Sequence, residues 1–237
     1  MSTAERSTPP HEPRSPDVEV DEDDLLTVPD HLVTGFLVTN PVLARKFKAR
    51  REKSPSAPRD EVWEGVYIMS PMANVEHQDF IGRLTAALIS IVDILGGGKV
   101  FPGLNVSDRI DDWKSNYREP DVAVYLPGNP ATFRKAFVCG GPDFAVEILS
   151  DNDLARQKLD FYARVNTREL LILDRDPWAL ELYRLINGKL ELMGISTPES
   201  PETLTSAVLP LTLRLVLGEN RPTIELGRLD GAQTWRI

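Results

Sequence analysis

The sequence predicts a mixed α/β (α+β) protein, with a central mixed β-sheet flanked by helices. Three observations carry that prediction. Short apolar runs, Val122–Leu126, Phe144–Leu149 and Leu170–Leu173, are bounded by turn residues, as buried strands are. A longer stretch places Phe80, Ile81, Leu84, Leu88, Ile91, Val92 and Leu95 at helical spacing. Asn187-Gly188 separates two further strand-like runs and is the strongest short hairpin signal in the chain.

Taken in order, residues 1–24 are rich in Pro, Ser, Glu and Asp and poor in large apolar side chains, so they are expected to be a disordered acidic tail. The tail reads either as a shield over a basic groove or as a solvated segment. Residues 25–58 form an N-terminal extension. From Pro41, the apolar Val42, Leu43 and Phe47 with Arg45, Lys46, Lys48, Arg50, Arg51 and Lys53 predict a basic helix. It reads as a phosphate-contacting DNA-binding helix or as a solvated surface helix. Ser54 to Pro58 is a linker, and the main domain runs over 59–217.

Within that domain, Glu61–Met69 reads as a hairpin turning at Glu64-Gly65. Asn74 is placed to cap the long helix, which Gly96-Gly97-Gly98 ends. His77 lies one turn before Ile81 on the apolar stripe, so it faces inward, as a satisfied structural histidine or as a site residue. Lys99–Ile110 and Tyr117–Leu126 read as strands, and 131–142 as a loop or short helix. Asp143–Leu149 is a strand, and Ser150 to Asp153 cap a helix from Leu154 to Val165. Arg168–Asp174 is a strand, followed by the hairpin Trp178–Leu185 and Lys189–Ile195. Residues 203–217 add a strand or short helix, and 218–237 read as a C-terminal tail.

Composition narrows the function classes. The 237 residues are 41% hydrophobic, enough for a core. No run of 18 apolar residues exists, so no membrane-spanning helix is expected. The N-terminus lacks the pattern of a signal peptide, and the expected location is cytoplasmic. Cys139 is the single cysteine, and His11, His31 and His77 show no ligand spacing, which argues against zinc. The net charge of −9 opposes a nucleic-acid partner. However, nine acids among residues 1–30, against Arg6 and Arg14, account for most of it. The remaining chain is nearly neutral and has room for a local basic patch.

Two carboxylates carry the chemistry. Asp121 opens one buried run and Glu147 sits inside another, and a carboxylate in a buried strand is costly unless paired. Together they suit a hard divalent cation, Mg2+ or Mn2+, and a phosphate-ester substrate. The Ile148 carbonyl, next on the same strand, is a natural third ligand. On the following helix Leu154, Lys158, Phe161 and Val165 share the apolar face, so Lys158 must snorkel or find an anion. It reads as a group that orients water or holds the scissile phosphate, or as a structural ion pair with Glu147. Glu61 is a supporting carboxylate, or an ordinary surface glutamate.

The blocks EVWEGVYIMSP, His77-Gln78, EPDVAVY, PDFAVEILS and QKLDFYARVNTRELLILDRDPWALELYRL occur in an order that resembles the Uma-two family of the PD-(D/E)XK nuclease superfamily. The resemblance spans 59–186. It implies a restriction-endonuclease-like core, Asp121 and Glu147 as metal-binding acids, and Glu61 and His77 at the border of the site. The residue two after Glu147 is Leu149, where the superfamily pattern has lysine. The resemblance implies that Lys158 takes that role from the next helix. The expected function is a Mg- or Mn-dependent endonuclease acting on DNA, with a homodimer as one assembly that cuts both strands. The alternative is a nucleic-acid-binding or protein-interaction module without catalysis.

Overall fold

The computed structural model describes residues 36–51, 59–70, 74–150 and 154–237. The acidic tail, the linker at 54–58 and most of the cap at 150–153 lie outside the described residues. Those described belong to one unit, Thr34–Ile237.

Strand β1 (Phe36–Val38) leads into the basic helix α1 (Pro41–Arg51). Asn40 caps that helix, its Oδ1 accepting from the Val42 and Leu43 amides. Hairpin strands β2 (Glu61–Trp63) and β3 (Val66–Met69) turn at Glu64-Gly65, where φ is 45° and 84°. Two positive φ values match the right-handed twist of the flanking strands. Helix α2 (Val75–Ile94) begins after Asn74, whose Oδ1 accepts the His77 N–H at 2.8 Å. Its predicted stripe is buried from His77 to Val92.

The expected strand at 99–110 divides into β4 (Lys99–Pro102) and β5 (Val106–Ser107). The expected strand at 117–126 also divides, into β6 (Tyr117–Arg118) and β7 (Val122–Tyr125). Pro120 lies in the break and has no N–H for a ladder. The segment 131–142 holds two short strands, β8 (Thr132–Phe133) and β9 (Val138–Cys139), and no helix. Strand β10 (Phe144–Ile148) precedes a 3₁₀ turn at Ala155–Lys158 and helix α3 (Leu159–Arg164). Then come β11 (Glu169–Arg175) and the hairpin β12 (Trp178–Ile186) and β13 (Lys189–Ser196). Last are β14 (Leu204–Thr205), β15 (Leu211–Val216), β16 (Thr223–Arg228) and β17 (Thr234–Arg236). The stretch read as a tail from 218 therefore contributes two strands. Ile224, Leu226 and Ile237 are buried in the main core. Polar residues between these few apolar ones hid the alternation.

The six-stranded sheet runs β13-β12-β11-β10-β7-β4. Only β10 and β11 are parallel, so the sheet is mixed. Alternation along its strands sends Val122, Val124, Val146, Ile148, Leu171 and Leu173 to one face, against α2 and the sheet β14-β15-β16-β17. The other face carries Ala145, Leu149, Leu170 and Ile172, packed on Phe161, Tyr162 and Val165 from α3 and its end. Glu147 lies between Val146 and Ile148, so it belongs to the α3 face. The seven-stranded sheet β1-β3-β2-β6-β5-β9-β8 joins this one through Glu119-Pro120, between β6 and β7.

Candidate active site at the junction of two sheets

The junction gathers the charged residues. Asp121 is 5% exposed and directly precedes β7. Its Oδ2 accepts the Ile148 N–H at 2.8 Å. Its Oδ1 accepts from Arg59 at 2.9 Å. His77 Nε2 lies 3.0 Å from the same oxygen, outside hydrogen-bonding direction. The helix stripe thus turns His77 inward onto Asp121.

The register explains why a side chain meets the Ile148 amide. Phe144 pairs with Val124 and Val146 with Val122, so Ile148 faces Pro120. Proline cannot donate to the ladder. The next amide, Leu149 N–H, goes to Leu173 on β11. Both main-chain groups of Ile148 therefore point away from β11, toward Asp121. The Ile148 carbonyl lies on the same side of the strand as the N–H that Asp121 accepts.

Glu147 and Glu61 meet on Lys158. Lys158 Nζ donates to Glu147 Oε1 at 3.1 Å and Oε2 at 3.0 Å, and to Glu61 Oε1 at 2.9 Å. The Tyr162 hydroxyl also donates to Glu147 Oε1. Burial, then the neighbouring Glu147 charge, holds the Tyr162 hydroxyl well above the usual phenol range, so it stays a donor. Glu61 Oε1 accepts the Glu119 N–H at 2.8 Å, and Oε2 accepts Trp63 Nε1 at 2.6 Å. Glu61 is 3% exposed, which excludes the reading of an ordinary surface glutamate.

Lys158 is buried, although not through the α-helical phase expected for it. It closes the 3₁₀ turn, where i and i+3 share a side. Ala155 and Lys158 are accordingly both buried, whereas Leu154 is half-buried. The Gln157 N–H closes that turn on the Leu154 carbonyl at 2.8 Å.

Four further residues belong to the cluster and were not singled out from sequence. Arg59 holds Asp121. Tyr162, one turn after Lys158, holds Glu147; its i+4 spacing was the available signal. Arg118 is 5% exposed, its guanidinium packed between the rings of Trp63 at 4.5 Å and Phe161 at 4.3 Å. Burial lowers its pKa, and Glu61 opposes that. It ties the first hairpin to α3 and so holds Glu61 near Lys158.

Glu119 is the fourth. Burial pushes its carboxyl up to about 7, while Arg59, 3.7 Å away, opposes the rise. Gly103 permits that pair, since a Cβ there would lie 2.9 Å from Glu119 Oε1 and 3.1 Å from Arg59 Cζ. The raised folded pKa means the carboxyl stabilises the fold below its unfolded pKa and loses that contribution as pH rises through 7. Glu119→Gln is expected to stabilise the metal-free protein by about 1–2 kcal/mol above pH 7, and by nothing near pH 4. Urea unfolding at the two pH values measures the difference.

The basic helix packs its Ala44 against the cluster of Val62, Tyr67 and Tyr117. Arg45 and Lys46 are exposed and Lys48 is half-exposed on α1, with Arg50 and Arg51 at its end. None of the contacts of Asp121, Glu147 or Lys158 described above comes from that helix.

Among the described residues, no group of three or more His, Cys, Asp or Glu side chains is arranged to hold a metal. The oxygen donors on hand are the Asp121 and Glu147 carboxylates and the Ile148 carbonyl. That set suits a hard cation, which takes one or two carboxylates and fills its shell with water. Cationic side chains already lie against both carboxylates. No helix among the described residues is long and apolar enough to cross a membrane.

No curated protein matches the chain. Among solved structures it is similar to one titled as a putative nuclease belonging to DUF820 from Anabaena variabilis ATCC 29413. That match has a TM-score of 0.50 and 17% identity, over 70% of this chain and 90% of the other. At that identity the likeness speaks for the fold. A family model matches residues 46–218, which include every residue of the junction from Arg59 to Tyr162. The chain belongs to that family, Uma2, described as "Putative restriction endonuclease".

Proposed function

We propose that this protein is a Mg- or Mn-dependent nuclease that hydrolyses DNA phosphodiester bonds at the junction of its two larger sheets. The observation that carries the reading is the convergence of Asp121, Glu147 and the main chain of Ile148, with Lys158 in the same cluster. Family membership supports nuclease chemistry; the choice of metal and of DNA is our reading. When bound, the cation neutralises charge at the phosphate and makes water a better nucleophile.

Asp121, Glu147 and the Ile148 carbonyl would hold that cation. The chain's own residues do the remainder. Lys158 bridges Glu147 and Glu61, so its ammonium is fixed where a water or a phosphate oxygen would be oriented. Arg59, more exposed than Lys158, bears on Asp121 and is a cation that can pair with an incoming phosphate. Glu61 and Tyr162 hold Lys158 and Glu147 in one geometry, and His77 limits the swing of Asp121.

One observation favours a second reading, a nucleic-acid-binding module without turnover. Lys158 already engages both oxygens of Glu147, and Arg59 engages Asp121. Manganese titration by calorimetry, with supercoiled-plasmid nicking on the same samples, separates the two. The nuclease reading expects binding and nicking by the wild type and loss of both in Glu147→Gln. A wild type that neither binds manganese nor nicks sinks it.

A further inference from the structure

Beside the carboxylates lies a groove of about 330 Å³ that the chemistry above does not use. That volume falls in the range of small-molecule sites, roughly 300–1,000 Å³. Its walls include Phe101, Phe133 and Phe137, the cations Arg134 and Lys135, and Glu119. We propose that this groove binds an unpaired nucleotide of the substrate, so that the protein prefers single-stranded or frayed DNA to intact duplex. The proposal takes its substrate class from the nuclease reading.

Position argues for it first. Glu119 lines the groove, meets Arg59 at 3.7 Å, and Arg59 reaches Asp121 at 2.9 Å. The Glu119 N–H also holds Glu61. A nucleotide in the groove would therefore lie next to a phosphate at the candidate site.

The walls argue for it second. Phe133 ends the short strand β8 and is 38% exposed, although it is a large apolar side chain. Tyr125 meets it edge-on at 5.1 Å and Phe101 is tilted against it at 6.1 Å. Those contacts hold the ring in place without covering it. Lys99 Nζ lies 4.2 Å from its centroid. Lys99 is itself exposed, so a base can take its place over the ring and leave the ammonium for a phosphate. A base can stack on such a ring face only when it lies outside the duplex stack.

Charge argues for it third. Arg134 and Lys135 are exposed on the loop between β8 and β9, and neither has an ion-pair partner among the described residues. The Arg134 N–H closes that loop on the Phe137 carbonyl at 2.9 Å, and Asn105 braces it through the Ala136 carbonyl at 3.1 Å. Two free cations and an aromatic platform on a braced loop match a backbone-tracking, base-stacking surface. The one acid in the wall, Glu119, is offset by Arg59.

Fluorescence anisotropy on the full chain without metal tests the proposal. The probes are a labelled oligothymidylate of about 20 nucleotides and a blunt duplex of the same length. The wild type is expected to bind the single strand about ten-fold tighter than the duplex. Phe133→Ala should weaken single-strand binding about ten-fold, and Phe133→Trp should restore it. Arg134→Glu with Lys135→Glu, both exposed and so neutral to folding, should weaken it further and flatten its salt dependence. Equal affinity for the two probes, or unchanged binding by Phe133→Ala, overturns the proposal. Plasmid nicking is read separately. Single-strand preference without nicking upholds the groove and sinks the nuclease reading, while nicking without that preference sinks the groove alone.

Discussion

Lys158→Met is expected to destabilise the protein by about 3–5 kcal/mol and to abolish nicking. Lys158, Glu61 and Glu147 are all nearly excluded from solvent, and one ammonium serves three carboxylate oxygens. Methionine keeps the unbranched apolar body of the side chain, one atom shorter, and removes the charge together with its N–H donors. Two buried carboxylates are then left without their cation, which costs far more than the net worth of the original pair. The cost should be recoverable. Adding Glu61→Gln and Glu147→Gln to Lys158→Met removes both charges, and urea unfolding should return most of the lost stability while activity stays absent. If Lys158→Met alone unfolds at the wild-type midpoint, the three groups do not depend on one another as described.

Asp121→Asn should cut the nicking rate by about a thousand-fold or more, with manganese affinity falling in parallel. The fold should lose only about 1 kcal/mol. The amide oxygen can still accept the Ile148 N–H, which keeps β10 in register against the start of β7. What disappears is the negative charge that Arg59 and His77 face and that the cation requires. Single-turnover nicking, calorimetry and urea unfolding on one preparation distinguish these effects. A variant that nicks at the wild-type rate would remove Asp121 from the chemistry.

Several residues of the charged cluster were legible in the chain. Asp121 and Glu147 stood out because one opens and the other interrupts a run that is otherwise apolar, and the penalty for burying a carboxylate is local information. His77 and Lys158 stood out because each falls on an apolar helical stripe. Glu61 was ambiguous, since nothing next to it in sequence says whether it is covered. The helix periodicity at 75–94, the Asn74 cap and the hairpin at Asn187-Gly188 were equally readable, because short-range sterics and hydrogen bonds decide them.

Other residues were not legible, for reasons that also have names. Arg59 and Glu119 read as ordinary surface charges, because their partners come from distant parts of the chain. The breaks inside 99–110 and 117–126 follow from two sheets parting at Pro120, and a single strand's pattern cannot show which sheet it joins. The strands at 223–236 were missed because their burial depends on α2 and the large sheet being in place.

By itself, the sequence determined the mixed α+β class, the long helix, the hairpins and the pair of acids that demand a partner. These rest on periodicity, turn chemistry and the cost of burying charge, all of which act within a few residues. Only the tertiary structure decided who that partner is. It brought Lys158 across to Glu61, 97 positions away in sequence, and set Asp121 on the Ile148 amide. Those choices follow from strand order and register, because a buried ion is stabilised by whatever the fold places within about 3 Å of it.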